Sequence, residues 1–141
     1  MPRKDPFRNF NFVVEIQGIK QAGFTDCTGF GSTTEPTEIN EGGLNEFSRK
    51  FPGRTKQNNI TLKWGMTDSR GLYDWYRGVV QGEIIRRNGS IVVFDLQGAE
   101  VARWNFHHAW PTKWEGPAFS AKGNEVAIET LELAHHGLEQ A

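Results

Sequence analysis

The stretch "WNFHHAWPTKWEG", Trp104 to Gly116, gathers three tryptophans, a phenylalanine, a proline and two adjacent histidines into thirteen residues. Successive side chains of a strand point to opposite faces. Read that way, Trp104, Phe106, His108 and Trp110 share one face and Asn105, His107 and Ala109 the other, until Pro111, which has no N–H to donate, ends the ladder. Trp114 and Gly116 then suit a tight connection to the last strand. On this reading the sheet itself separates His107 from His108, so the stretch is a core strand and a corner rather than a metal site.

Working outward, "FNFVVEI" (Phe10 to Ile16) is a strand rich in aromatic and β-branched residues. "GFTDCTGF" is a second, with Phe24, Asp26 and Thr28 on one face and Thr25 and Cys27 on the other. "STTEPTEIN" is an edge or bulged strand because of Pro36. From Asn40 to about residue 58 the sequence loses all periodicity yet carries Leu44, Phe47 and Phe51, which predicts a long loop acting as a contact arm. "NITLKWGM" alternates Ile60, Leu62 and Trp64 against Thr61, Lys63 and Gly65, a half-buried strand. "TDSRGLYDWYRGVVQG" predicts a helix over about 69–80, capped by Thr67 or Asp68 and stopped at Gly82, with Leu72, Trp75, Tyr76, Val79 and Val80 at helical spacing.

"EIIRRNGSIVVFDLQG" contains Asn88-Gly89, a hairpin signal. With a further turn at Gln97-Gly98 it predicts three strands in a meander. "NEVAIETLELAHHGLEQA" is ambiguous: Val126 and Ile128 share one parity and Leu131 and Leu133 the other, while Ile128, Leu131 and Leu138 also suit a helix. It is assigned as a strand bulged near Thr130. The expectation is a single domain over residues 1–141, mainly β (α+β), with two packed antiparallel sheets forming a barrel-like body and one helix.

Composition narrows the function classes. Sixteen Lys and Arg against seventeen Asp and Glu leave a net charge of -1, so no overall basic footprint draws the chain to nucleic acid or anionic lipid. Apolar runs such as "SIVVF" are too short to span a bilayer, and "MPRKDPFRNFNF" lacks the apolar core of a signal peptide, so synthesis in the cytoplasm without a signal peptide is expected. Cys27 is the only cysteine, which excludes an intramolecular disulfide and reads as a small buried hydrophobe.

Catalytic constellations are hard to assemble. The four histidines come as His107-His108 and His135-His136; neighbours on a strand cannot close on one ion, although one from each pair could meet across a sheet. A closed site needs two more ligands, and a catalytic one at least a third. There is no "GxSxG" elbow, "GxGxxG" or "GxxxxGKS". Glu129 with Glu132, and Glu35 with Glu38, read as solvated strand faces, and Arg86-Arg87 as solvated charge or, functionally, an inter-subunit salt-bridge patch. The reading is no catalytic, cofactor-binding or metal residues. A small β-barrel ligand-binding module and, behind it, a His-based metalloenzyme stand as alternatives to an assembly protein.

The ordered set "DPFRNFNFVVEIQG", "GFTDCTGFG", "EGGLNEFSRKFPGRTKQNNITLKWGMT", "GLYDWY", "WNFHHAWPTKWEGP" and "NEVAIETLELAHHGLE" covers nearly the whole chain. It resembles the tail-tube proteins of contractile phage tails and of phage-tail-like extracellular contractile injection systems, related in fold to the type VI secretion tube protein. The resemblance implies hexameric rings stacked into a rigid hollow tube, which sheath contraction drives through a target envelope. The implied partners are other copies of the chain, a sheath protein, baseplate and tube-terminating proteins, and payload protein or DNA in the lumen, with no membrane insertion by the monomer. The implied location is a phage tail or an injection particle, released or cell-anchored. Glu41 to Lys56 matches the family's long loop, so Leu44, Phe47 and Phe51 are expected as apolar subunit-interface anchors and Arg49, Lys50 and Arg54 as charged contacts. The helix is expected outside, its polar face toward the sheath. His107, His108 and His136 stand where polar or acidic residues are more usual, which bears on charge near neutral pH.

Overall fold

A single strand of sixteen residues organises the domain. The structure, a computed structural model, describes residues 11–20, 23–39, 49–119 and 127–141. Within them the chain runs β1 (Asn11–Ile16), β2 (Phe24–Thr28), β3 (Ser32–Ile39), β4 (Arg49–Gln57), β5 (Ile60–Gly65), α1 (Gly71–Val80), β6 (Arg87–Phe94), β7 (Glu100–Glu115), β8 (Ile128–Ala134) and β9 (Gly137–Gln140). All pairing is antiparallel, in the order β1-β6-β7-β8-β5-β2 with β9 also on β7, and a separate two-stranded sheet β3-β4. The first half of β7 pairs β6 and β9; its second half pairs β8. The two halves thus belong to two layers, folded over a shared core. β1 and β2 stay unpaired with each other among the described residues, so the body is barrel-like without closing.

The bend between the layers lies at His108, the one non-glycine residue with positive φ among those described, at 54°. Gly89 pairs Phe106 while Arg87 pairs Ala109, so β7 carries an extra residue against β6, a β-bulge. The His108 N–H donates to Asn88 Oδ1 at 3.0 Å, which replaces the ladder bond lost there. This corrects the simple alternation. Phe106 and Ala109 are both fully buried although three residues apart, and His108 is exposed rather than part of an aromatic row. Pro111 does not end the strand either: it is buried and pairs Leu133, and the ladder continues to Glu115↔Thr130 past a register shift between Pro111 and Lys113. Trp114 therefore sits within β7, opposite Leu131, and not in a connection.

Asn88-Gly89 is no hairpin turn; both lie inside β6, and residues 83–86 form no strand. The expected three-strand meander is a β6–β7 hairpin with β1 on the other side of β6. Steric need explains the glycine. A Cβ on Gly89 would overlap the Phe106 ring and lie 2.6 Å from Glu15 O. Arg87 is likewise not solvated charge: Nη1 donates to Gln17 O at 2.7 Å and the guanidinium lies 5.7 Å from the Trp75 ring centroid. The turn at Gln97-Gly98 forms as expected, with Gly98 at φ 83° and Asp95 Oδ1 accepting from the N–H groups of Gln97 and Ala99.

β5 alternates as its sequence dictates, with Ile60, Leu62 and Trp64 buried. In β2 a register shift between Phe24 and Asp26 breaks the expected parity, so Phe24 and Cys27 both pack on the core. α1 has ten residues and begins at Gly71, with Arg70 at the N-cap position and no side-chain cap; Thr67 Oγ1 only accepts from the Ser69 N–H. Its end is better defined. Gly82 at φ 89° donates to Val79 O and Glu83 to Gly78 O, a Schellman closure. Leu72 and Trp75 seal the core, and Tyr73 meets Trp114 of β7 edge to face. The C-terminal segment is strand, with Leu131 and Leu133 fully buried, and the β5–β8 register runs through Thr130 without the expected bulge. Glu129 accepts from the Trp64 indole at 2.7 Å and Glu132 from Asn59, so neither is merely solvated.

Gly89→Ala is expected to cost about 1–3 kcal/mol by overpacking. Phe106→Leu should relieve part of that, so the double variant will be less destabilised in urea titrations than the two singles together; strict additivity would refute the contact. Burial pushes the Cys27 thiol from 9.0 up to about 12. Between those values the unfolded chain loses a proton that the folded chain keeps, so stability falls as pH rises through that window. Cys27→Ala should make stability fall less steeply there, measured by chemical denaturation; an identical slope would show that the thiol ionises freely.

Candidate subunit interface

The segment expected to be a loop over about 40–58 is half strand: Arg49–Gln57 is β4, paired with β3. Leu44 and Phe47 lie outside the described residues. Threonine-rich "STTEPTEI" and the basic "RKFPGRTKQ" form a ladder from Ser32↔Gln57 to Ile39↔Arg49, with a register shift between Thr34 and Pro36 and the two prolines Pro36 and Pro52 facing each other. Thr34 and Thr55 hydroxyls bond across the pair at 2.8 Å. Gly53 is required by the close approach: a Cβ there would stand 2.7 Å from Glu35 O.

This hairpin is unusual in what it lacks. Every residue of β3 and all of β4 but Gln57 are exposed, so neither face is covered by the domain. Eight extended residues reach about 27 Å, and a two-stranded ribbon of this kind is marginal in water by itself. Thr37 pairs Phe51 and Ile39 pairs Arg49, so Ile39, Phe51 and Arg49 share one face, with Ile39 48% and Phe51 45% exposed. Lys50 projects from the other face and meets Glu38 at 3.7 Å. Arg54 is exposed beside the register shift. Of the expected contact residues, the fold therefore brings Arg49 and Phe51 together and sets Lys50 opposite. Ile39 was missed by sequence reasoning, because its partnership with Phe51 exists only in this register.

The second open element is the pair of sheet ends. Among the described residues β1 and β2 each pair on one side only, leaving a row of backbone groups on the other. Between β1, β2 and β6 opens a groove of about 350 Å³ lined by Phe12, Cys27, Phe30, Ile91 and Val93.

The histidines do not converge as a catalytic set. His107 Nε2 meets Glu139 at 2.9 Å, and buried His135 meets Asn58 O at 2.9 Å. His108 and His136 face each other with ring centroids 5.5 Å apart. Among the described residues no three His, Cys, Asp or Glu side chains form a group able to hold a metal ion. No helix among them is long and apolar enough to cross a membrane.

Comparison with known proteins follows the same architecture. A chain of the cryo-EM structure of the anti-feeding prophage (AFP) tube terminating cap superposes with a TM-score of 0.88 at 24% identity, over 100% of this chain and 94% of that one. A chain of the sheath-tube complex of PVC, an extracellular contractile injection system, in its extended state gives 0.86 at 23%, over 96% and 91%. Hcp1 from Salmonella typhimurium gives 0.64 at 12%, over 94% and 86%. A search of curated protein sequences finds no match. The family profile of T4-like virus tail tube protein gp19 spans residues 8–139, and the chain belongs to that family.

Proposed function

We propose that this tail tube protein forms hexameric rings that stack into the rigid inner tube of a contractile injection system or phage tail, conducting payload when a surrounding sheath contracts. The observation that carries the reading is the β3–β4 hairpin, an arm with both faces uncovered and with Ile39 and Phe51 side by side on one of them. Such an arm gains its stability from another subunit. A ring needs a head-to-tail contact that closes, and a tube a second that does not. The unpaired edges of β1 and β2 suit the first, since strand pairing between neighbours removes both edges at once. The arm suits the second.

Phe51 and Ile39, with Leu44 and Phe47 in the segment joining β3 to β4, are the apolar anchors of this arm; Arg49, Lys50 and Arg54 are its charged contacts. α1 packs Leu72 and Trp75 inward and leaves Asp74 and Arg77 outward, a polar face for the sheath. Baseplate and tube-terminating proteins are the partners at the two ends, by likeness to the AFP and PVC assemblies. The subunit's role is mechanical, without a catalytic step. The apolar groove between β1 and β2 is part of the subunit seam rather than a ligand pocket, because it lies open between the two unpaired strands.

Electron micrographs of the purified protein with its sheath and baseplate partners should show rings or tubes; a monomer under all such conditions would overturn the reading. Interface energy concentrates in a few buried apolar anchors. Ile39→Ser with Phe51→Ser, and separately Leu44→Ala with Phe47→Ala, should therefore leave the thermal midpoint of the monomer nearly unchanged while shortening the tubes. Unchanged tube yield and length in both double variants would remove the arm from the stacking contact.

A further inference from the structure

The corner at His108 builds an arrangement that lies outside the arm and the sheet edges proposed for the tube contacts. Of the four histidines, His107 and His135 already use Nε2 in a hydrogen bond, to Glu139 Oε1 and to Asn58 O respectively. The rings of His108 and His136 have no hydrogen-bond partner among the described residues, both side chains are exposed, and they stand tilted at 40° with centroids 5.5 Å apart. Two imidazoles bound to one tetrahedral ion, with metal–nitrogen bonds of about 2.1 Å, hold their ring centroids about 5.2 Å apart. At 5.5 Å the two exposed rings stand within reach of that geometry once each side chain turns a nitrogen toward a common ion.

The backbones beneath the two rings are fixed. His108 is held at φ 54° with its N–H on Asn88 Oδ1, and the His136 N–H donates to His107 O at 2.9 Å. A strained conformation in a non-glycine residue is sustained only where its surroundings over-determine it. Here the outcome is that one imidazole from the bulge of β7 and one from the turn between β8 and β9 meet on the surface. We infer that His108 and His136 form a surface site for a borderline divalent transition cation such as Zn²⁺ or Ni²⁺, with water completing the coordination. Imidazole selects such ions over hard cations, which prefer oxygen. With two protein ligands the site is neither a closed structural centre nor a catalytic one. Its effect is to clip the β8–β9 turn to the corner of β7.

The test is calorimetric titration of the purified, chelator-treated protein with ZnCl₂, NiCl₂ and, as the hard-cation control, MgCl₂. One Zn²⁺ or Ni²⁺ per chain is expected, with a thermal midpoint that rises as the ion is added and no response to Mg²⁺. His108→Asn keeps a residue that tolerates positive φ, and it should weaken binding by at least about tenfold, as should His136→Gln. His107→Gln should leave binding as it was. Equal binding by His108→Asn and the parent, loss of binding in His107→Gln, or equal affinity for Mg²⁺ would each overturn the site. The outcome is independent of tube formation, since it is read on the chain whether or not rings are present.

Discussion

The packing of Phe106 against Gly89, with the extra residue that follows it in β7, is the constraint from which the rest of the fold descends. Phe106 fills the space where a β6 side chain would otherwise stand, which fixes the register of β6 against β7. The bulge then turns β7 so that Ala109 and Pro111 also point inward. One strand can thereby serve two layers without a break in its ladder. The core of Val14, Ile16, Leu62, Trp64, Ile91, Leu131 and Leu133 lies between them, with α1 packed against it through Leu72 and Trp75. A strand that alternated regularly through this region would send either Phe106 or Ala109 into solvent.

The same constraint explains which parts of the fold were legible in the sequence. β5 was, because Ile60, Leu62 and Trp64 alternate without interruption, and so was the end of α1, because Gly82 takes a conformation that favours glycine. Asn88-Gly89 misled for a physical reason. Both residues are there for β7, the asparagine to accept the His108 N–H and the glycine to admit Phe106, and a local turn signal cannot be told from a distant steric need. Bulges in β2 and β7 shifted parity in ways a period-two pattern does not encode. The candidate interface was half legible. Phe51, Arg49, Lys50 and Arg54 stood out as an apolar residue and three charges in a stretch without periodicity. Their strand character did not, since β4 has no buried face to impose one. Ile39 joins them only through cross-strand pairing.

Two kinds of incompleteness meet in this subunit. Among the described residues the main sheet is satisfied on its inner face and unfinished at its ends, whereas the β3–β4 ribbon is satisfied in its ladder and unfinished on its faces. Backbone pairing is undiscriminating about side chains, while packing on Ile39 and Phe51 depends on shape. A chain that presents both can make one contact that is strong and general and another that is selective.

The facing prolines of the ribbon bear on how such a chain avoids sticking at the wrong time. At Pro36 and Pro52 neither strand has an N–H to offer an incoming strand, and the register shift beside them interrupts the regular spacing of the remaining donors. A freshly made subunit thus carries a long, exposed ribbon that is a poor template for fibrous growth. Its adhesion resides in side chains, which recognise a shaped counterpart, and not in a continuous row of amides, which would accept almost any extended chain.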